Sequence, residues 1–450
     1  MNKPGHFSMP NTAAKLVALL GSVFTLIFAS MSFAGDIDFK AETKLNYRDS
    51  DSNRFPVNFP FPPVALPVGE TTAFEETVDA GSHFEISNIA LFWNWQWTDN
   101  VELIAKVDVF DLYEKNPTST DLDVSLDRLI LRYGTRHTQG ELPQNTDFYA
   151  QFGKFNKFER QEDMHLESYG LASTAFNRVE DSGFEFGIDA PNGFYAKLSY
   201  TTGNPVFMRD PNALAGDNGI DQSPPPNFDP EYKTGIVVLY DAEVEGLDLS
   251  EAPEIGAALG YRWVSDTGSQ RINLMAFHYE REMADTVELH GTFYGADLDV
   301  LDLSEVVPDL RLPISHEDKT ETGLNLWWYG ENSSVFAQYV SQDIAGLERD
   351  GWELEWAYAF GAGDALGESL NLNSIVPVVR YSELTNDFVG TAVFPSPSLW
   401  WDWTKLDVGF ALNFDGNISL TTEYAFTEFV RGGVDEDNNE LLLTFEWRYD

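Results

Sequence analysis

Residues 89–110 carry the pattern that most restricts how this chain can fold. Apolar side chains occupy every second position of 89–97 and of 101–109, and the positions between them hold most of the polar residues. Successive side chains of a β-strand point to opposite faces, so the pattern predicts two strands with one apolar and one polar face. The three polar residues at 98–100 are too few for anything but a turn. The stretch therefore predicts a β-hairpin.

The same two-residue period returns along much of the chain after residue 35. The runs are about ten residues long, which is enough for a tilted strand to cross a lipid bilayer. The phase changes near Asp127, which predicts a β-bulge there. Segments that alternate clearly are 37–47, 122–133, 148–155, 184–200, 322–328, 352–360, 406–414, 418–426 and 441–449.

The predicted number of strands depends on the weakly patterned region 233–295. Strands at 233–243, 255–265, 270–281 and 286–295 bring the total to about 18, and an even number is expected of a bacterial barrel. A strict alternation of short turns with long loops also requires a strand at 286–295. Sixteen strands is the alternative, because this region alternates poorly.

Local alternation alone fits a soluble sandwich, whose apolar faces meet, as well as a transmembrane barrel, whose apolar faces meet lipid. Short turns alternate with long loops, and aromatic residues gather near strand ends, as in 93–97, 327–329 and 400–403. Both features are typical of outer-membrane barrels. A closed barrel also pairs all its backbone groups within lipid. We therefore predict an all-β fold, a transmembrane antiparallel up-and-down β-barrel with long extracellular loops and short periplasmic turns.

The first 34 residues are typical of a secretion signal. Lys3 and Lys15 precede an apolar run at 16–28, and small residues lead to Ala34, after which cleavage is predicted. A retained membrane helix is the alternative, but a spanning helix needs about 20 apolar residues. The predicted organisation is a cleaved segment 1–34 and a single barrel domain 35–450.

The charge of the chain excludes several classes of partner. There are 73 acidic and 28 basic side chains, which gives a net charge of -45. Such a balance argues against nucleic acid and against attachment to anionic lipid through a basic face. The chain has no cysteine, which excludes disulfides and thiolate metal sites.

In these features the chain resembles a Gram-negative outer-membrane porin over essentially all of its length after residue 34. The resemblance rests on the signal, the alternating strands, the aromatic ending 445–449 and the stretch 151–160, which is similar to the end of a porin's fifth strand. Asp450 departs from the family, whose members usually end on the aromatic residue. General-diffusion, phosphate-selective and carbohydrate porins all remain open.

The resemblance implies a water-filled channel in the outer membrane, surrounded by lipid and lipopolysaccharide and crossed by small hydrophilic solutes. It also implies that the last strand binds the barrel assembly machinery and that three copies form a homotrimer. In porins the third loop folds inward and narrows the pore, and by position that loop is 156–181 here. A surface loop with solvated charges is the alternative.

Charged side chains of this loop and of the inward strand faces are the predicted pore-lining residues. We hypothesise that a basic wall on the early strands faces acids of the inserted loop. The inward positions as a whole hold slightly more acids than bases, so we predict only a weak cation preference. The candidates are Lys40, Lys44, Glu102, Lys106, Arg132, Lys157, Glu159, Arg160, Glu162, Asp163 and Arg178.

The sequence shows no strong catalytic, cofactor or metal motif. Residues 361–367 miss the dinucleotide-binding spacing, and the seven histidines show no ligand spacing. We therefore predict that the chain is not an enzyme and has no catalytic residue, cofactor or metal. The acidic run 435–440 could bind Ca²⁺, although a solvated loop explains it more simply. Two alternatives stay open for function: a channel selective for phosphate or saccharides, and a barrel without a pore that acts as a surface scaffold or adhesin.

Overall fold

The computed structural model describes residues 36–57, 73–76, 81–111, 124–137, 142–158, 164–176, 180–203, 238–240, 249, 253–282, 288–290, 292–293, 296–297, 317–344, 346–363, 371–387, 402–431 and 434–449. Almost all of this is β-strand, with one short helix, α1 (Leu171–Phe176). No helix within these ranges is long and apolar enough to cross a membrane.

Sixteen long strands of the described residues form one closed antiparallel sheet. In chain order they are β1 (Asp36–Ser50), β2 (Gly81–Thr98), β3 (Val101–Asp111), β4 (Ser125–Gly134), β5 (Asp147–Asn156), β6 (Glu180–Asp189), β7 (Phe194–Thr201), β8 (Glu254–Val264), β9 (Arg271–Glu282), β10 (Asp318–Tyr329), β11 (Ser333–Ile344), β12 (Leu347–Tyr358), β13 (Leu372–Asn386), β14 (Asp402–Phe414), β15 (Ile418–Arg431) and β16 (Glu440–Tyr449).

Each strand pairs with its neighbours in the chain, and β1 also pairs with β16. The register of this closing pair runs from Ala41 opposite Tyr449 to Ser50 opposite Glu440. The predicted all-β, up-and-down barrel is therefore confirmed.

The barrel closes with the smaller of the two expected strand counts. The described parts of the segments expected at 233–243 and 286–295 are the short strands Val238–Tyr240, Glu288–His290 and Thr292–Phe293. The first two pair with each other in a separate two-stranded sheet, and none of the three joins the barrel.

The remaining short strands lie beside the barrel strands or apart from them. Phe360–Gly361 pairs with β13, and Val434–Asp437 pairs with β15. Two small ribbons are separate: Arg54–Val57 with Ala73–Glu76, and Thr292–Phe293 with Ala296–Asp297.

The alternation of the sequence becomes an apolar outer wall and a polar inner wall. On β12 the outward Trp352, Leu354 and Trp356 are exposed, whereas the inward Glu353 and Glu355 are buried. A wall of this kind is stable when lipid covers the apolar side chains. Towards the ends of β9 and β10 that lead into long loops, the outward positions become polar, as at His278, Glu280, Glu282, Thr320 and Thr322.

The two ends of the barrel differ in their connections. Both chain ends of the barrel lie beside short turns such as 99–100, 330–332 and 415–417. Most connections at the opposite end are long. One of them departs from strict alternation, because Ile344 of β11 pairs with Leu347 of β12 and only two residues separate them.

The bulge predicted near Asp127 is confirmed. Lys106 of β3 is opposite Arg128 of β4, and the next residue, Val107, is opposite Leu126, so Asp127 is the extra residue. A bulge lets two successive side chains point to the same face. Asp127 and Arg128 both border the interior of the barrel as a result.

The aromatic residues divide between the two faces. Trp93, Trp95 and Trp97 occupy outward positions next to the turn at 99–100, and the rings of Trp95 and Trp97 stack at 5.4 Å. Trp327 and Trp403 were expected to belong to the lipid-facing aromatic clusters. They instead point inward and are buried, because they occupy the same phase as the inward polar residues of β10 and β14.

Candidate pore constriction

The connection after β5 folds into the barrel, and its first residues contact β8, β9 and β10. The ammonium of Lys157 lies 3.1 Å from an oxygen of Glu254 and 3.4 Å from an oxygen of Glu321. It also sits 4.1 Å from the centre of the Tyr279 ring, on which the Phe158 ring stacks at 4.7 Å. These contacts hold the start of the loop against the wall.

Helix α1 lies inside the barrel against β11 to β14, and all of its residues are buried. The N–H of Ser173 donates to Oε2 of Glu353 at 3.1 Å. Gly170 precedes the helix, and a Cβ atom there would lie 2.1 Å from the same carboxylate oxygen. The close approach of this backbone to the wall therefore requires glycine.

Arg349 of β12 fixes the other end of the helix. Its guanidinium donates to the carbonyl oxygen of Ala175 at 2.8 Å and lies 4.7 Å from the centre of the Phe176 ring. The last carbonyls of a helix have no partners within it, and a cation supplies one here.

Residues 164–169 lie between Lys157 and helix α1 and run through the interior of the barrel. We call them the crossing segment. Leu166 packs against Ala357, Val376 and Val378. The ring of His165 lies 2.7 Å from Glu355. This segment is therefore in contact with the inner faces of β12 and β13.

Glu167 reaches the wall further round the barrel, at β1 and β2. Its carboxylate is 3.3 Å from the ammonium of Lys44 on β1, accepts a hydrogen bond from Ser87 Oγ on β2, and lies 3.5 Å from the amide nitrogen of Asn46. Its backbone N–H donates to Glu423 on β15 at 3.0 Å. The crossing segment is thus bonded to wall strands from β12 round to β2.

We call the inner face of β7–β14 with Phe429 of β15, together with the loop residues against it, the packed side. It contains an apolar cluster in which aromatic rings lie on glycines: a Cβ atom at Gly260 would lie 2.0 Å from Cζ of Tyr195, and one at Gly323 would lie 2.3 Å from Cζ of Phe277. Cluster members include Phe158, Leu171, Ala172, Phe176, Tyr195, Met275, Phe277, Tyr279, Trp327, Phe336, Val340, Trp403 and Phe429.

We call the inner face of β15, β16 and β1–β4 the open side. A cavity of about 340 Å³ lies between this wall and the crossing segment. It is lined by Glu42, Lys44, Ser87, Asn88, Phe92, Lys106, Asp127, Arg128, Asn156, Met164, His165, Leu166, Glu167, Tyr169, Thr421, Thr444, Glu446 and Arg448.

Each of the four cations that line the cavity has a carboxylate partner. Lys44 lies 3.3 Å from Glu167, Lys106 lies 3.1 Å from Asp108 and from Asp127, and Arg128 lies 3.3 Å from Asp127. The fourth cation, Arg448, lies 3.1 Å from Glu42 and 2.6 Å from Glu446. In each of these pairs the cation side chain is more exposed than its carboxylate partner.

The structure brings two of the predicted pore-lining residues, Lys44 and Lys106, into this cavity. Lys40 lies near the short-turn end beside Asp38. Lys157 belongs to the packed side. Glu102 and Arg132 form an ion pair with each other elsewhere on the inner wall. Five predicted residues lie outside the described ranges: Glu159, Arg160, Glu162, Asp163 and Arg178.

The prediction did not assign several inward charges that hold the loop or the wall. The alternating pattern stops where outward positions turn polar, so the predicted strands ended too early at the long-loop end. β12, for example, begins at Leu347 rather than near Trp352, and β10 begins at Asp318. The affected charged residues are Arg48, Glu254, Lys319, Arg349 and Glu440.

In the part of the chain that the structure describes, no group of three or more His, Cys, Asp or Glu side chains is arranged to hold a metal ion.

Two solved structures resemble this chain along most of its length. OprB of Pseudomonas putida aligns over 96% of this chain and 97% of its own, with 10% sequence identity and a TM-score of 0.52. The outer membrane channel DcaP of Acinetobacter baumannii aligns over 93% of this chain and 99% of its own, with 11% identity and a TM-score of 0.50. No protein-family model matches the chain, and no curated protein sequence is significantly similar to it.

At such low identity the likeness shows the fold, which is that of the outer-membrane porins. A closed barrel with an even number of strands and an apolar outer wall is the architecture of bacterial outer-membrane proteins. The chain is accordingly an outer-membrane β-barrel.

Proposed function

We propose that the protein is a porin that lets small hydrophilic solutes and ions diffuse passively across the outer membrane of a Gram-negative bacterium. The observation that carries this proposal is the charged cavity on the open side, between the crossing segment and β1–β4. A polar passage beside an inward-folded loop provides a route for water and solutes without any catalytic step. We assign the chain no enzymatic activity and no cofactor.

The pairing of the cavity's cations supports general diffusion over phosphate selection. A site that selects phosphate needs cations available to bind its oxygens. Lys44, Lys106, Arg128 and Arg448 each have a carboxylate within about 3.3 Å. The cations of the lining are therefore held in ion pairs with carboxylates, which reduces their capacity to bind phosphate.

The lining also gives little support to saccharide selection. Sugars bind to exposed aromatic faces, and the cavity offers only Phe92 and Tyr169. Most other inward aromatic residues of the described lumen, such as Tyr195, Phe277 and Trp327, are buried in the packed side.

We propose a weak preference for cations. Four carboxylates and four cations line the cavity, so the preference would come from the net charge of -45, which implies further acids in the loops. Acidic loops enrich cations at the mouths within a Debye length of about 8 to 10 Å at physiological salt.

We also propose partners that the porin resemblance implies. Lipid and lipopolysaccharide would surround the apolar wall, and the barrel assembly machinery would bind β16 with its aromatic residues Phe445, Trp447 and Tyr449. A homotrimer would be the assembled form. Cross-linking of the purified protein in detergent tests the last point, because a monomer at all cross-linker concentrations would contradict it.

Single-channel recording in a planar bilayer tests the channel itself. We expect stepwise conductance increases and a small reversal potential of cation-selective sign under a salt gradient. A folded barrel that inserts without any conductance would instead support the alternative of a surface scaffold or adhesin.

A further inference from the structure

One hydroxyl of the crossing segment uses its whole capacity for hydrogen bonding. Ser168 Oγ donates to Oε1 of Glu423 and accepts from Arg380 Nη2 at 3.0 Å and from Lys405 Nζ at 2.8 Å. A serine hydroxyl has one donor and two acceptor sites. Each of its three partners is a charged side chain, and each partner comes from a different strand of β13–β15.

The backbone around Ser168 is held in the same way. Oε2 of Glu423 accepts the N–H groups of Glu167 at 3.0 Å and of Ser168 at 3.1 Å, and Lys405 donates to the carbonyl oxygen of Tyr169 at 2.9 Å. Hydrogen bonds to ionised groups are roughly twice as strong as neutral ones. Ser168, Arg380, Lys405 and Glu423 are all buried.

The wall stays largely paired when the loop is taken away. Arg380 keeps its bond to Asp407 at 2.9 Å and its contact with Glu355 at 3.5 Å, and Lys405 keeps Asp407 at 3.2 Å. Of the three wall residues that bind Ser168, Glu423 alone loses most of its partners, although Arg380 remains 3.6 Å from it. The barrel wall therefore does not need the loop for its own ion pairs, and the loop can be released without breaking them.

We propose that Ser168, Glu423, Arg380 and Lys405 form a latch that positions residues 164–169 at the edge of the passage. The latch fixes the backbone of Glu167, whose carboxylate lies 3.3 Å from the ammonium of Lys44 on β1. Ser168 and Glu423 are thus positioning residues that set the width and charge of the constriction. This inference rests on the proposed function, since it assigns these residues a role in the same passage.

The absence of native cysteine allows a direct test of loop release. Leu166 lies next to the latch and is 4% exposed, so a cysteine placed there is protected while the loop is docked. In the Leu166→Cys background, Ser168→Ala and Glu423→Gln each remove bonds to charged groups. We expect the labelling rate with a water-soluble thiol reagent to rise roughly tenfold or more in both variants.

Two matched variants separate the latch from a general loss of packing. Ser168→Thr keeps the hydroxyl and should restore the slow labelling rate. Ser173→Ala removes a comparable bond, to Glu353 on the packed side, and should leave the labelling rate of the introduced thiol unchanged. Hydrogen exchange of the peptide 164–169 in the variants with Leu166 intact gives a readout that does not depend on the cysteine substitution.

Single-channel recording of the same variants then tests the effect on passage. We expect additional conductance levels in Ser168→Ala and a single level in Ser168→Thr. Suppose that the unsubstituted protein conducts and that Ser168→Ala changes neither labelling, exchange nor current. The latch proposal is then contradicted, and the channel proposal is still supported. If the unsubstituted protein does not conduct, the channel proposal and the role assigned to the latch both fail.

Discussion

The packed and open sides of the lumen use the same kinds of charged residue in different surroundings. Arg380 and Arg448 each contact two or more carboxylates, but the side chain of Arg380 is 1% exposed and that of Arg448 is 56% exposed. The crossing loop covers the first and leaves the second beside the passage. The number of ion pairs therefore does not reveal which charges hold the protein together and which meet solutes.

The largest expected difference between the two sides is the loss of stability when an arginine is replaced. Arg380→Met leaves Asp407 and Glu355 buried without their main cation. Breaking a buried pair in this way costs about 3–5 kcal/mol. The measurement is the free energy of unfolding by denaturant in lipid vesicles.

Arg448→Met on the open side is the control for this comparison. Exposed ion pairs are worth at most about 1 kcal/mol, because water and salt screen them. Equal losses of stability in the two variants would mean that the packed side is not a core.

A smaller effect on stability is expected from Gly260→Ala on the packed side. The new methyl would lie 2.0 Å from the Tyr195 ring and would displace it, and overpacking of this kind costs about 1–3 kcal/mol. Gly361→Ala is the matched control, since a Cβ atom there has no neighbour within 4 Å. Loss of stability in the control as large as in Gly260→Ala would show that glycine matters only for the backbone.

On the open side we expect a change in ion preference rather than in stability. Lys44→Gln removes a cation from the lining and should raise the ratio of cation to anion permeability, by at most about fivefold. A unit charge at 4 Å in water is worth about 1 kcal/mol, which sets that limit. The reversal potential under a salt gradient measures the ratio.

Lys40→Gln provides the control on the same strand. Lys40 shares the inward face of β1 with Lys44 but does not line the cavity, so its replacement should change the ratio less. A larger shift from Lys40→Gln would place the selective part of the passage at the short-turn end.

The smallest expected effect is the salt dependence of the unsubstituted channel. Raising the ionic strength from about 0.1 M to 1 M shortens the Debye length from about 10 Å to 3 Å. The weak cation preference should then decrease towards the ratio of the ions' mobilities in water. A preference that does not change with salt would argue for a buried charge as its cause.

The sequence predicts the barrel well because a strand that meets lipid on one face and water on the other must alternate. It even locates the bulge, since Asp127 interrupts the phase. It fails where that contrast disappears. The outward Glu280 and Glu282 are as polar as the inward Arg281, so polar and apolar residues do not alternate at the end of β9.

The candidate site is less predictable for a different reason. Ser168 is 212 positions from Arg380 and 255 positions from Glu423, and only the closed barrel brings the three together. The alternating pattern of the strands shows that Arg380 and Glu423 point inward, but it does not show that the loop after β5 reaches them. The same limit applies to Lys157. Its charge suggested a pore-lining residue, but its ion pairs with Glu254 and Glu321 place it on the packed side.

The seam between β1 and β16 has a consequence for the rate and order of folding. Arg48 and Glu440 lie 3.2 Å apart there, although 392 positions separate them in the chain. Contacts between such distant positions form slowly, because a very long segment must be ordered first. Until β16 is in place, two strand edges expose N–H and C=O groups that lipid cannot satisfy. Insertion of this barrel therefore depends on the 10 residues of its last strand, and a chain that stops short of them presents two open edges to its neighbours.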